Sequence, residues 1–506
     1  MSWHNATASM AGTGWPEMTL STATLGNLPP GVTAPGYDRT AITPGIVHIG
    51  CGNFHRAHMA VYLDDLFALG EGHDWGILGA GVREGDARMR DLLAGQDYLS
   101  SVIELAPGAQ SARVIGAMTG FVEIEADNAA LIAAMSQPHI RIVSLTVTEG
   151  GYYIDPATGT FSPAHPDIAH DAANPDHPKT AFGAIVAALK RRRDNGLPPL
   201  TVMCCDNLPH NGHVCADAVI GTARLSDPAL ADWIAATIAF PNSMVDRITP
   251  ATGPRELAMA RDLGLDDAAP VTCEPFRQWV MEDNFPSGRP ALEKVGVTFT
   301  DRVDAFETMK IRILNGGHAI IAYPGGLADI EFVHEAMADP RIRAFLDAIL
   351  TREVLPIVPP VPGVQLPDYK ALILDRFSNP LVADTVRRLA LDGSNRQPKF
   401  IVPTIRDGLA AGRNVDGLIL LSALWCRYCQ GTSESGAVIA PNDPNWDKLT
   451  ARAAEAKTRP QAWLEMTEVY GDLGLNDTVV TGFARALHDV QARGARAVIA
   501  DYLARG

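Results

Sequence analysis

The chain has 506 residues, 20% charged and 47% in the hydrophobic set, a globular composition with material for two or three domains of roughly 100–200 residues each. Its 42 basic and 58 acidic side chains leave a formal charge of −16, which disfavours non-specific adhesion to nucleic acid or anionic membrane, so neither is expected as a partner. Seven scattered cysteines are too few for a disulfide scaffold, no run approaches the roughly 18 apolar residues of a membrane span, and the polar, Gly/Pro/Thr-rich stretch Met1 to Pro35 lacks a charged-then-apolar leader pattern; a cytoplasmic location is expected.

Over the first 300 or so residues, short apolar runs alternate with polar helical stretches, the pattern of a mostly parallel sheet flanked by helices. Strands are expected at Ile46–Ile49, Gly76–Val82, Ile140–Val147 and Val202–Cys205. The first runs into Gly50-Cys51-Gly52-Asn53-Phe54-His55-Arg56-Ala57-His58, followed by a helical stretch to about Leu69. Glycines at a strand-to-helix turn let the backbone approach a pyrophosphate, whose charge the helix N-terminus favours. A dinucleotide fingerprint wants Gly or Ala at position 55, and His55 stands there, so the flanking strand and helix carry much of the weight. The second strand leads into Arg83-Glu84-Gly85-Asp86. A carboxylate there usually holds a ribose 2′-hydroxyl, so Glu84 or Asp86 would favour NAD over NADP, although Arg83 beside them leaves NADP open and a solvated helix start is the plain alternative. His55 with His58, and His210 with His213, are pairs at spacing three without a nearby third ligand, and no metal is expected.

The later strands of this half end in Thr148-Glu149-Gly150-Gly151-Tyr152 and in Asp206-Asn207-Leu208. Ligands of open α/β sheets sit beyond the carboxyl ends of the strands, which is where Gly50, Glu149 and Asn207 all fall. The basic run Lys190 to Arg193 closes the apolar stretch Ala184–Leu189 and reads as a helix end.

Beyond about Thr300 helical periodicity takes over, as at Asp304–Ala322, Ile342–Leu355 and Ala451–Glu465. Residues 1–300 are therefore expected to form a Rossmann-type dinucleotide-binding domain and 301–506 a mostly helical substrate domain. Val358 to Gly363 is Pro-rich and reads as a loop. Cys426 and Cys429 form the one CxxC, next to the apolar Leu418–Trp425, and read as buried thiols on a helix.

The strongest local signal is Lys310-Ile311-Arg312-Ile313-Leu314-Asn315-Gly316-Gly317-His318. At about 100° per residue, Asn315 lies about 140° and His318 about 80° around from Lys310, so one broad helix face carries all three. An amine among such apolar neighbours loses hydration, which favours its neutral form, the one that acts as a base. Gly316 and Gly317 each cost roughly 1 kcal/mol inside a helix and imply close approach by another group or a break after Asn315. A snorkelling lysine beside an Asn-Gly helix cap is the bland alternative. The chemistry that fits is metal-independent alcohol oxidation. Lys310 takes the hydroxyl proton, Asn207 and Asn315 donate to the developing alkoxide, and His318 orients the hydroxyl. No Tyr-x-x-x-Lys and no zinc set points elsewhere.

These residues resemble the polyol-specific long-chain dehydrogenases. The resemblance runs from about Gly45 to the C-terminus and is carried by Ile46–His58, Ser144–Tyr152, Cys205–Leu208, Phe240–Pro250, Glu274–Val280 and Lys310–His318. It implies an α/β Rossmann-type N-terminal domain, a largely α-helical C-terminal domain and a cleft between them. It implies Lys310 as general base, Asn207 and Asn315 as oxyanion donors, His318 as a substrate-binding and carbonyl-polarising group, and Glu149 as the relay of the proton to water. Asp246 would hold substrate hydroxyls, as would an arginine taken as Arg388, with Arg387 and Arg376 as alternatives. The cofactor set would be Gly50, Gly52, Asn53, Phe54, Arg56, Glu84 and Asp86. The implied reaction is D-mannitol and NAD to D-fructose and NADH, carried out by a monomer. Within the family, a fructuronate or tagaturonate reductase would need a further cation, which Arg376, Arg387, Arg388 or Arg396 supplies. Arabinitol and sorbitol dehydrogenases are further alternatives. Outside it, Lys followed by Asn on a helix also resembles hydroxyacid dehydrogenases, and a nucleotide-binding sensor without turnover would make the Lys310–His318 alignment accidental.

Overall fold

Pro44-Gly45-Ile46-Val47-His48-Ile49 is apolar at every position but His48, as expected of a strand covered on both faces. In the computed structural model, which describes residues 18–505 apart from 108, 156 and 157, this segment is the middle strand of a five-stranded sheet. Along the chain the strands are β1 (Pro44–Ile49), β2 (Gly76–Ala80), β3 (Met118–Phe121), β4 (Ile142–Leu145) and β5 (Thr201–Cys204). All pair in parallel, in the order 3-2-1-4-5, the order of the nucleotide-binding doubly wound sheet. Alternation of side chains divides them between two cores. Ile46, Ile77, Ile142 and Met203 pack with Met59, Leu63 and Leu66 on one face, while Val47, Val143, Leu145 and Val202 pack with Ile185, Leu189 and Val219 on the other. Each such buried aliphatic side chain contributes roughly 1.5–3 kcal/mol.

The chain divides after Val303 into two units. The first also contains sheets that the apolar runs did not reveal. One joins Val271–Cys273, Ser100–Ala106, Ala109–Ile115 and Val32–Thr33, and another pairs Ser243–Asp246 antiparallel with Gln278–Met281. Two serines and a glutamate interrupt the β-branched pattern in Ser100–Ala106, which hid it. The basic run ends the helix Ala181–Asp194 as expected, but Arg192 turns inward and donates to the carbonyls of Met135, Gln137 and Pro198.

The second unit is helix-rich, with breaks where single long helices were expected. Asp304–Ala322 is an α-helix at Val303–Met309, a π-turn at Lys310–Asn315 and an α-helix at Gly316–Leu327. Ile342–Leu355 is likewise Pro340–Ile349 followed by a π-turn at Leu350–Val354. Ala451–Glu465 splits into Trp446–Glu455 and Gln461–Leu464, because Pro460 cannot extend the ladder. Among the described residues, no helix is long and apolar enough to cross a membrane.

Candidate active site

The glycine turn after β1 is built by sterics. Gly50 has φ +102, and a Cβ there would fall 2.1 Å from the carbonyl oxygen of Thr146, so no other residue fits. The Gly50 carbonyl accepts from Gly52 N (2.9 Å), the Thr146 hydroxyl (2.5 Å) and His48 Nε2 (3.1 Å). With Nε2 donating, Nδ1 of His48 accepts from the Ser144 hydroxyl at 2.8 Å. Gly52 caps the short helix Asn53–Ala57, and no atom lies within 4 Å of where its Cβ would stand. The first glycine is therefore demanded by the protein itself, whereas the second leaves open space above the turn.

Other members of the expected cofactor set face inward. Asn53 donates to Pro250 O (3.0 Å) and Thr252 Oγ1 (2.8 Å) and accepts from Arg56 (2.8 Å). The buried Arg56 also donates to Ala269 O, so this guanidinium braces the loops around the turn. Phe54 is half-buried and stacks on His58 with centroids 4.8 Å apart. His55 is buried and stacks on His48 at 3.6 Å, which accounts for a bulky residue where the fingerprint has a small one. Burial pushes His48 and His58 down to about 3, and holds His55 well below its ordinary value, so all three rings are neutral. After β2, Asp86 Oδ2 accepts from Val82 N (3.0 Å) and Arg83 N (3.1 Å), closing its own turn. Glu84 is the exposed carboxylate of the pair.

Gly50, Thr146–Glu149 and Asp206–Asn207 follow β1, β4 and β5, three neighbouring parallel strands, and so share one carboxyl edge. Glu149 opens the 3-10 turn Glu149–Tyr152; its side chain lies outside the described part of the structure. Asn207 is exposed at the end of β5. Asp246 is buried at the end of its strand, opposite Gln278. That strand is tied to β5 by Asn211, which accepts from Ser243 N (2.8 Å) and donates to Cys204 O (3.3 Å) and Asp206 O (3.1 Å). His213 reaches Asn242, 3.3 Å away.

In the second unit, Lys310 opens the π-turn and is 8% exposed. The wider i→i+5 ring sets Asn315 roughly one turn above Lys310, closer in azimuth than the 140° expected of an α-helix. Arg312 leaves on another side, paired with Asp407 and donating to Ile357 O at 3.3 Å. His318 stacks on Phe377, centroids 4.7 Å apart. Gly317 makes room for that ring, since a Cβ there would stand 3.1 Å from it; at Gly316 nothing lies nearer than 3.7 Å. His318 is held well below its ordinary value, first by burial, then by the charges of Arg388, Arg376, Arg396 and Lys310, so its imidazole is neutral.

Of the candidate arginines, Arg388 pairs with Asp384 and Arg387 donates to Ala440 O (2.9 Å) and Pro441 O (2.8 Å). Arg376 is buried in the helix Leu366–Phe377. Sequence reasoning missed His48, Thr146, Asp206 and Phe377. Asp206 alone had a signal, since it stands next to Asn207 at a strand end. Cys426 and Cys429 are buried free thiols at the end of the helix Asp416–Tyr428. Among the described residues, no group of three or more His, Cys, Asp or Glu is placed to hold a metal ion.

Two family models match the chain. The mannitol dehydrogenase Rossmann domain covers residues 44–294 and the mannitol dehydrogenase C-terminal domain covers 302–491. Mannitol 2-dehydrogenase of Cereibacter sphaeroides is 67% identical over 473 residues, 94% of this chain and 99% of that one. The enzyme of that name from Phaeosphaeria nodorum is 42% identical over 476 residues, 93% of this chain and 83% of that one. Among solved structures, the Pseudomonas fluorescens mannitol 2-dehydrogenase in ternary complex with NAD and D-mannitol is 44% identical. It covers 97% of this chain and 100% of its own, with a TM-score of 0.87. A D-sorbitol dehydrogenase in substrate-free form is 35% identical, covers 95% and 100%, and has a TM-score of 0.88.

Proposed function

The chain belongs to the mannitol dehydrogenase family, and from that premise we propose that it oxidises D-mannitol to D-fructose with NAD. The observation that carries this function is the buried Lys310 at the head of a π-turn, with Asn315 and a neutral His318 following on the same segment.

The residues of the glycine turn fit a dinucleotide. Gly50 is forced into the left-handed region, and the open space over Gly52 leaves room for a pyrophosphate. The exposed Glu84 suits a ribose 2′-hydroxyl and would repel a 2′-phosphate, which favours NAD over NADP. When bound, the nicotinamide accepts the hydride that leaves the carbinol carbon. Lys310 Nζ removes the hydroxyl proton. The side-chain amides of Asn315 and Asn207 donate to the oxygen as negative charge grows on it. Neutral His318 donates a hydrogen bond to the substrate, stacked in place by Phe377. Asp246 and Arg388 hold the other hydroxyls, and Glu149 hands the released proton to water. No metal takes part in this scheme. The buried free thiols support a reducing, cytoplasmic setting, and the protein acts as a monomer.

A second substrate class has one observation in its favour: Arg388, Arg376 and Arg396 all exert their charge on His318, which suits a sugar acid. Following formation of the reduced nicotinamide from mannitol, sorbitol, arabinitol and mannonate, with NAD and then NADP, decides between them. Mannitol with NAD is expected to be fastest; preference for mannonate would transfer the enzyme to the uronate reductases. A single elution volume near 54.1 kDa is expected on gel filtration.

A further inference from the structure

One buried carboxylate at the carboxyl edge of the sheet has no part in the chemistry above. Asp206 is 8% exposed and directly precedes Asn207. Its Oδ1 accepts from Thr148 N at 2.9 Å, and its Oδ2 from Val147 N at 3.0 Å and from the Tyr152 hydroxyl at 2.7 Å. Its own carbonyl accepts from Leu208 N (2.9 Å) and Asn211 Nδ2 (3.1 Å). The side chain thus grips the loop after β4 at three points, while the backbone is built into the loop after β5.

The gripped loop is not in a relaxed conformation. Thr148 has φ 67 and ψ 161, and a β-branched residue stays at positive φ only where its surroundings impose it. The two backbone bonds to Asp206 fall on Thr148 and on the residue before it. The Tyr152 bond falls at the far end of the 3-10 turn that opens with Glu149. One residue earlier in the loop, Thr146 reaches the Gly50 carbonyl, so the same loop also braces the glycine turn.

We propose that Asp206 is a positioning residue for the reaction. It fixes the backbone that carries Glu149 relative to Asn207, so that the route of the proton to water and the oxyanion donor are set by one carboxylate. The inference rests on the roles given above to Glu149 and Asn207. Asp206→Asn keeps the shape but turns an NH2 group toward a backbone N–H, so the grip fails on at least one side.

Asp206→Asn is expected to lower kcat for mannitol oxidation by about tenfold to a hundredfold, the scale of a small misplacement of catalytic groups. KM for NAD should change far less than kcat, thermal stability should fall modestly because a buried N–H loses its acceptor, and the acid limb of the pH–rate profile should move. Amides 147–152 should exchange hydrogen faster, with the rest of the sheet unaffected. Tyr152→Phe keeps both backbone bonds and is expected to lower kcat by no more than about threefold, the loss of one ordinary hydrogen bond, with a smaller rise in exchange over the same amides. Unchanged kcat and unchanged exchange in Asp206→Asn would overturn the proposal. So would a parallel loss of stability, NADH affinity and kcat, which marks a purely structural role. Should Asp206→Asn fail to fold, Tyr152→Phe decides: faster exchange in 147–152 supports the proposal, and unchanged exchange overturns it. Wild-type protein inactive on every polyol would sink the functional proposal, while the exchange measurement still tests the grip of Asp206 on the loop.

Discussion

Phe377 lies nearly parallel to His318, ring centroids 4.7 Å apart and 30° between planes, and it does so because residue 317 has no side chain. A methyl group there would stand 3.1 Å from the Phe377 ring. Gly317→Ala is therefore expected to displace the phenyl ring by a few tenths of an ångström against the imidazole. It should raise KM for the polyol by about tenfold, an effect of about 1.4 kcal/mol, and leave NADH affinity unchanged. Equal polyol KM in wild type and variant, measured at saturating NAD, would remove Phe377 from the list of groups that hold His318.

Lys310→Ala should lower turnover by the roughly 10²–10⁴ of a lost general base, with NADH binding retained in a fluorescence titration. Lys310→Arg should not restore it, because a guanidinium does not give up its proton in the working range. Polyol oxidation at the wild-type rate by either variant would disprove the role. Overnight dialysis against a chelator should leave the wild-type rate as it was; a loss restored by added zinc would place the base on a metal instead.

Acid should weaken the first unit early. His48 and His58 are pushed down to about 3 by burial, and His55 is also held well below its ordinary value by burial. In the unfolded chain a histidine titrates near about 6.5. The folded groups thus bind fewer protons than the unfolded ones across the interval below that value. Their contribution is complete above about pH 6.5 and drains away as pH falls toward 3, by up to ~1.4 kcal/mol per pH unit for each histidine. Thermal midpoints taken between about pH 7 and 5, before most carboxylates titrate, should fall steadily. A flat profile over that interval would contradict neutral burial of the three rings.

The two glycines of the nucleotide turn should respond differently to the same substitution. Gly50→Ala meets the Thr146 carbonyl at 2.1 Å and a φ of +102, and is expected to destabilise the fold by several kcal/mol, beyond the usual range for single substitutions. Gly52→Ala meets nothing within 4 Å, so it should fold normally and weaken NADH binding alone. A calorimetric scan with an NADH titration on both variants checks this. Normal NADH affinity in Gly52→Ala would mean that the cofactor does not approach that backbone.

The nucleotide half was legible in the sequence where one period governed it. Ile46, Val47 and Ile49 before Gly50, and Val202 to Cys204 before Asn207, marked strands and their loaded ends. Ser100–Ala106 escaped because polar residues dilute its apolar run, and one of its two partners, Val271–Cys273, lies far away in the chain. The roles of Arg56 and Arg192 were illegible for a different reason. Long cationic side chains are solvated in most proteins, and their inward turn depends on carbonyls supplied by distant segments, such as those of Ala269 and Gln137. The π-turn at Lys310 could not be read from periodicity, since a widened turn changes only where residues point. Asp206 stood in plain view beside Asn207, yet its worth lies in three partners, Val147, Thr148 and Tyr152, more than 50 positions away.

A helix that carries one surplus residue per turn has a register set by length as well as by composition. Loss of any one residue from Ile311 to Leu314 would let the segment from Val303 to Leu327 wind as an ordinary α-helix. Asn315 would then follow Lys310 by four residues, at about 40° in azimuth, close to where the widened turn already holds it, and His318 would keep the same face. One more residue added to the stretch would instead swing everything beyond it by about 100°. Charge and apolar content would hardly change in either case, so drift here is open to exchanges of one aliphatic side chain for another and to loss of the surplus residue, and closed to single-codon insertions.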